Sequence, residues 1–349
     1  MFQFLGSSRQ QMLCGAGLAF ILILSGASKL PGQTPYAEDE ILVSRNFMGN
    51  PVPKWENGFL VGFEFVPERS PTVYAYGRGG NKLFETQLGL DGAYKVTLRA
   101  MAASPDGRFA FSGVAENGSP VRKYFIAFLD STGRILRVNV DGFAAGHLCF
   151  SPDGTLWAAS KPVLQYPAGT APDHDILRAY APDGNLKFTM LPRSSFAGKA
   201  VDPLQTHPIS DDENGTSQLA ANESEVVFLS SGFQEFVRVT LSGKLLQRGR
   251  MERPAKSFLT GFALAATGAM FLSTQEEVPG DPKKVNFVFY RWNLANSKWT
   301  ELFTRSSQER GLPISIAMAE NDRMLVKSSE GRFRWIRPSA GEYSFRTQP

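Results

Sequence analysis

The strongest constraint in this chain is a short phrase that recurs, a tight turn followed at once by an apolar strand. It reads Ser104-Pro105-Asp106-Gly107 before Arg108-Phe109-Ala110-Phe111-Ser112, and Ser151-Pro152-Asp153-Gly154 before Thr155-Leu156-Trp157-Ala158-Ala159. Serine, proline, aspartate and glycine in that order suit a type I turn, because proline presets φ and aspartate bonds back to the backbone. Glu56-Asn57-Gly58 precedes residues 59–63, and three looser copies, Asn222-Glu223-Ser224, Ala266-Thr267-Gly268 and Glu320-Asn321-Asp322, precede residues 225–229, 269–272 and 323–326. The opening strands begin at Phe59, Arg108, Thr155, Glu225, Ala269 and Arg323, separations of 49, 47, 70, 44 and 54 residues. A period near 48 with one long insertion is the spacing of a four-stranded propeller blade.

Each copy has a second half in which an apolar strand bends into another. Residues 72–76 turn at Gly79-Gly80-Asn81, 124–128 at Ser131-Thr132-Gly133 and 176–180 at Pro182-Asp183-Gly184. Residues 236–239 turn at Ser242-Gly243, 287–292 at Asn296-Ser297, and 333–336 at Ser339-Ala340-Gly341. Such bends between apolar runs are hairpin signals. Ahead of the first-half turns lie segments of compact residues, at 97–103, 148–150, 217–221, 258–265 and 314–319. Alanine favours helices, but short runs bracketed by turns read as strands, and small side chains suit an innermost strand where sheets converge. The expected fold is all-β, a six-bladed β-propeller of four-stranded antiparallel blades over residues 51–349. A strand at residues 41–46 is placed to pair with the last sheet and fasten the ring.

With Ser-Pro-Asp-Gly complete at 104–107 and 151–154, the repeat resembles the bacterial β-propellers of the NHL, TolB-like and lactonase-like kinds, from about Trp55 to the C-terminus. The resemblance implies a fold rather than an activity, since the motif residues build a turn and the architecture hosts unrelated functions. Its lactonase-like branch implies one alternative, a hydrolase in which Ca²⁺ or Zn²⁺ at the channel mouth polarises a lactone carbonyl. Those enzymes draw acidic and amide ligands from several inner strands. The inner strands here read mostly as alanine, leucine and phenylalanine. Glu56, Asn57, Asn222 and Asn321 fall in the short turns of the opposite face.

The first 27 residues read as an export signal, with Arg9 as the positive flank, an apolar stretch at 12–24 and Ser25-Gly26-Ala27 at a cleavage site. The apolar run is shorter than the roughly 20 residues a membrane-spanning helix needs. Residues 28–50, with Pro31, Gly32 and Pro35, form a linker. Cleavage removes Cys14 and leaves Cys149 alone, so packing rather than a disulfide must hold the exported core. The expected location is a bacterial periplasm or the exterior, with no membrane span after cleavage.

The 37 basic residues are scattered against 33 acidic ones, for a formal charge of +4. A nucleic-acid partner is therefore excluded, for want of a basic stripe. Serine nucleophile elbows, phosphate loops and dinucleotide fingerprints are absent, and three histidines are too few for sites built on several imidazoles. No catalytic residue and no cofactor is assigned. Within a copy, the first-to-second and third-to-fourth connections are tight. The others are long and open on one face, at 114–122, 161–175, 191–215, 275–284 and 304–313, and long loops on a rigid scaffold are where binding gathers. There Asp173, His174 and Asp175, with His207, offer oxygen and imidazole donors for a divalent cation. His147 opens an inner strand near the channel, Arg253 and Arg310 are placed to attract an anion, and Tyr166 is a loop aromatic. Phe109 and Phe111, or Phe287 and Phe289, alternate as packing residues do. Cys149, flanked by apolar residues, is expected to be inert. The expected function is a non-catalytic module binding a protein, peptide or glycan at the cell envelope through the long-loop face.

Overall fold

The computed structural model describes residues 39–41, 53–64, 70–77, 79–119, 123–160, 175–196, 218–230, 235–250, 257–293, 298–308, 313–320, 323–328 and 332–336. These form six four-stranded antiparallel sheets arranged as a six-bladed β-propeller. Strand β1 (Asp39–Ile41) precedes blade 1, which holds β2 (Lys54–Glu56), β3 (Phe59–Glu64), β4 (Thr72–Tyr76) and β5 (Lys82–Gln87). Blade 2 holds β6 (Lys95–Ala103), β7 (Phe109–Glu116), β8 (Lys123–Leu129) and β9 (Ile135–Asn139). Blade 3 holds β10 (Ala145–Phe150), β11 (Leu156–Ser160), β12 (Asp175–Tyr180) and β13 (Leu186–Pro192). Blade 4 holds β14 (Gln218–Ala221), β15 (Glu225–Ser230), β16 (Glu235–Thr240) and β17 (Leu245–Arg250). Blade 5 holds β18 (Ser257–Leu264), β19 (Met270–Val278), β20 (Asp281–Asn293) and β21 (Lys298–Ser306). Blade 6 holds β22 (Pro313–Glu320), β23 (Arg323–Ser328) and β24 (Phe333–Ile336), and β1 is its fourth strand. The alanine-rich segments are inner strands; among the described residues the one helical element is a 3₁₀ turn at Arg193–Phe196.

The turns form as their residues dictate. The Gly107 amide donates to the Ser104 carbonyl at 3.0 Å, and that of Gly154 to Ser151 at 2.9 Å, closing type I turns. Gly107 and Gly154 take φ of +80° and +77°, a left-handed conformation that costs glycine no Cβ clash. The Asp153 carboxylate accepts from the Thr155 amide and from the Ser151 and Thr155 hydroxyls, locking the second turn.

Both faces of every sheet are covered, which explains why the strands read as apolar runs. Phe109 and Phe111 of β7 face blade 1, in a cluster with Val61, Val73 and Phe84. Ala110, between them, faces blade 3 with Phe150, Leu156 and Tyr180. Corresponding clusters fill the seams between blades 3 and 4, 4 and 5, 5 and 6, and 6 and 1. Each fully buried phenylalanine contributes about 2 kcal/mol of transfer free energy, so the large aromatic complement is an inter-blade core. Cys149 is wholly buried in the seam between blades 3 and 4, and burial pushes its thiol pKa upward, far from a reactive thiolate.

Two expectations shift in detail. The ring-fastening strand is β1, with Asp39 opposite Trp335 and Ile41 opposite Phe333, so it starts before residue 41; residues 42–52 and 337–349 lie outside the described residues. The connection expected at 275–284 is a hairpin instead. Val278 pairs with Asp281 across a turn at Gly280, and β19 and β20 stay paired along its length.

Successive inner strands touch one another around the whole ring, from β2 through β6, β10, β14, β18 and β22 back to β2. Closeness at the axis is extreme at Gly261, where an added Cβ would lie 2.3 Å from the Ile316 carbonyl oxygen and 2.8 Å from the Ile316 nitrogen. We predict that Gly261→Ala forces β18 and β22 apart and lowers unfolding free energy by about 2 kcal/mol. Denaturant titration checks this, and an unchanged midpoint would refute the tight seam.

Candidate functional site: the axial channel

Because the six inner strands cannot meet on the axis, they enclose a cavity of about 640 Å³, within the range of small-molecule sites. Its wall includes Lys54, Glu56 and Asn57 from blade 1, Arg99 from blade 2 and His147 from blade 3. Gln218 comes from blade 4, Thr260 and Gln275 from blade 5, and Ser315 and Lys327 from blade 6. Trp55, Phe262, Phe287 and Phe333 supply apolar surface.

Local backbone irregularity puts several of these polar groups there. The β6–β7 register skips Arg99, β10–β11 skips Gly146 beside His147, and β18–β19 skips Thr260. The β22–β23 register skips Ile314 beside Ser315. A bulge breaks the two-residue alternation and re-aims the side chain next to it.

At the hairpin-turn end, one carboxylate ties three blades together. Glu56 Oε2 accepts the Ala103 amide of blade 2 at 2.8 Å, and Oε1 accepts the Phe150 amide of blade 3 at 3.1 Å. Lys54 Nζ donates to Glu56 Oε1 at 3.1 Å and also to the Leu148 carbonyl. Asn57, at φ +51°, donates through Nδ2 to the Ala103 and Phe150 carbonyls at 2.8 and 3.4 Å. Burial pushes the Glu56 pKa above the ordinary glutamate value, while Lys54 and the two amides act the other way. Both oxygens of this carboxylate are thus engaged by the protein, Oε1 twice and Oε2 once.

The other charges in the channel are differently placed. Arg99 lies with its guanidinium carbon 5.4 Å from the Tyr124 ring centroid, and its Nη1 is buried without a hydrogen-bond partner. Lys327 is 7 % exposed, stands between Ser315 and Phe333 in the sheet, and has no ion-pair partner among the described residues. Desolvation lowers its pKa from the ordinary lysine value. With Lys54 and Glu56 cancelling, the described wall of the lumen is left with two cations, Arg99 and Lys327, which suits an anionic ligand.

Of the residues singled out in the sequence, His147 lines the cavity, half-buried in β10 opposite Ala159. Asp175 opens β12 opposite Pro192, outside the cavity wall. Tyr166, Asp173, His174, His207, Arg253 and Arg310 lie outside the described residues. Among the described residues no three histidine, cysteine or acidic side chains converge as a metal group. Sequence reasoning missed Arg99 and Lys327. Arg99 was legible in retrospect as a charge inside an otherwise compact inner strand.

No family model matches the sequence, and no curated protein matches it. Similar solved structures include a Bacteroides caccae protein of unknown function, at 13% identity and TM-score 0.44, covering 77% of this chain and 81% of that one. A catalytically inactive virginiamycin B lyase from Staphylococcus aureus with quinupristin is 11% identical at TM-score 0.41, covering 86% and 99%. A glucose dehydrogenase is 11% identical at TM-score 0.42, covering 87% and 100%.

Two substitutions separate the committed charge from the uncommitted one. Glu56→Ala strands two backbone amides and Lys54, and we expect a loss of about 3 kcal/mol in denaturant titrations. Lys327→Met keeps the stem and removes a desolvated ammonium, so the melting temperature at pH 7 should rise by about 2 °C. Because the folded-state pKa lies below the unfolded one, the unfolded chain binds more protons between them. Wild-type stability therefore climbs with pH across that window, and the variant's advantage shrinks as pH approaches the ordinary lysine pKa. A pH-independent advantage would contradict the assignment.

Proposed function

We propose that this protein is an exported, non-catalytic binding propeller of the bacterial cell envelope, which takes an anionic ligand into its axial channel from the long-loop face. The observation that carries this reading is the charge pattern of the lumen. Among the described residues Arg99 and Lys327 line it without acidic partners, and the one carboxylate on the described wall, Glu56, is engaged by Lys54 and two amides. A divalent cation would find no uncommitted carboxylate on the described wall, so the metal-dependent hydrolase is the weaker alternative. Binding at a protein, peptide or glycan partner is compatible with the same chemistry if the partner presents an acidic group, such as a uronate or an aspartyl side chain. Export rests on residues 1–27 with their basic flank, apolar stretch and small-residue cleavage site.

Thermal melting in the presence of acetate, succinate, citrate, glucuronate, inorganic phosphate, glucose or Ca²⁺ tests the reading. At least one anion should raise the melting temperature, since a ligand selective for the folded state stabilises it by mass action, and the shift should fade as salt rises. A rise with Ca²⁺ and none with any anion would transfer the case to the hydrolase. Secretion of the full chain from a bacterial host should yield a mature N-terminus at Ser28; retention of residues 1–27 would refute export by a cleaved signal.

A further inference from the structure

Arg99 and Lys327 are arranged in a way that narrows the ligand class. Blades 2 and 6 flank blade 1, since β2 touches both β6 and β22. The two uncommitted cations therefore stand on either side of blade 1, whose own Lys54 and Glu56 form a neutral pair. They also lie at comparable height. Arg99 sits five residues ahead of Ser104, which opens the hairpin turn, and Ser315, directly opposite Lys327, sits five ahead of Glu320 at the end of β22. Between them the wall carries the apolar Pro53, Trp55, Met101 and Phe333, with the Trp55 and Phe333 rings 6.4 Å apart, beside the mutually paired Lys54 and Glu56 and the amide of Asn57.

We propose that the channel is a two-point site for an organic dicarboxylate, with one carboxylate on Arg99, the other on Lys327, and the carbon chain lying past Trp55. This rests on the channel-binding reading above and deepens it. Arg99 offers a planar fork with a free Nη1, suited to a carboxylate. Lys327 offers a point charge short of both water and counter-ion, so an incoming carboxylate supplies the partner that the protein withholds. Each cation stands singly, a match for two separated monoanionic groups. A phosphate dianion is more commonly held by several donors converging on one centre. The apolar side chains between the cations accept methylenes, and the polar groups of blade 1 beside them are already bonded to one another and to the backbone.

Isothermal titration of the full chain against acetate, butyrate and the diacid series from succinate to suberate tests the proposal. Diacids should bind at least tenfold tighter than monoacids of similar length, with an optimum chain length set by the fixed span between blades 2 and 6. Arg99→Gln and Lys327→Met should each reduce the best diacid to the monoacid level, and the double variant should lose little more, as expected for two ends of one ligand. Melting curves establish that each variant is folded. Should Arg99→Gln fail to fold, Arg99→Lys keeps the charge without the fork and should cause an intermediate loss. Equal binding of mono- and diacids, or an affinity that ignores chain length, overturns the two-point site while leaving the channel-binding reading intact. Binding of phosphate or glucuronate with no response to any diacid does the same. Failure of every anion, including those of the melting panel, overturns both.

Discussion

Convergence on a common axis governs this molecule. Six sheets that pack face to face must bring their innermost strands together, and the space there admits little beyond alanine and glycine. Gly261 marks the limit, with a neighbouring carbonyl where its Cβ would be. Alanines 100, 102, 145, 220, 263 and 319 recur along the same inner strands. A long side chain on such a strand has two outcomes, the seam between blades or the lumen. Bulges at Arg99, Gly146 and Thr260, each five residues ahead of the turn that closes its strand, favour the lumen in three blades. The same steric constraint that limits bulk where the inner strands converge therefore concentrates polarity along the axis.

That concentration has two parts with different physical roles. Glu56, Lys54 and Asn57 answer a backbone problem: the inner strands of blades 2 and 3 end with peptide groups that the ladder leaves open, and three side chains from blade 1 satisfy them. Asn222 does the same one seam away, donating to the Ala265 carbonyl at 2.9 Å. Serines complete the pattern, with Ser112 donating to the Ala145 carbonyl and Ser273 accepting the Ile316 amide. These are inter-blade fasteners, and a buried charge among them is tolerable because its partners are complete. Arg99 and Lys327 fasten nothing of that kind. A cation held in a wall at the expense of its hydration, without a fixed partner, is an arrangement that stability alone does not select.

The fold was legible because its signals are local. Ser-Pro-Asp-Gly specifies a turn through four residues, glycine at the bends declares positive φ, and apolar alternation over five residues marks a strand. Blade 6 was harder, since its outer strand, β1, comes from residues some 290 positions away in sequence. The extended hairpin of blade 5 escaped because Glu276 and Glu277, polar residues on exposed strands, look like loop residues. The lumen was less legible still. Glu56 looked like part of a surface turn because the amides it meets lie 47 and 94 residues further on. Lys327 sits in an apolar strand as a single charge, and nothing nearby in sequence reveals that it faces the axis. Length of connection, the signal that favours loop residues for binding, carries no information about what the strands enclose.

Strand-borne and loop-borne sites differ in what recognition demands of them. Residues on long connections must be ordered when a ligand arrives, at roughly 0.5–1.5 kcal/mol for each immobilised side chain. Lys327 is carried by a strand paired on both sides, and Arg99 by a bulge on β6, which pairs with β7 and packs against the neighbouring inner strands, so both positions are set by the ring before any ligand binds. Such a site discriminates by length and charge placement rather than by adapting to its guest.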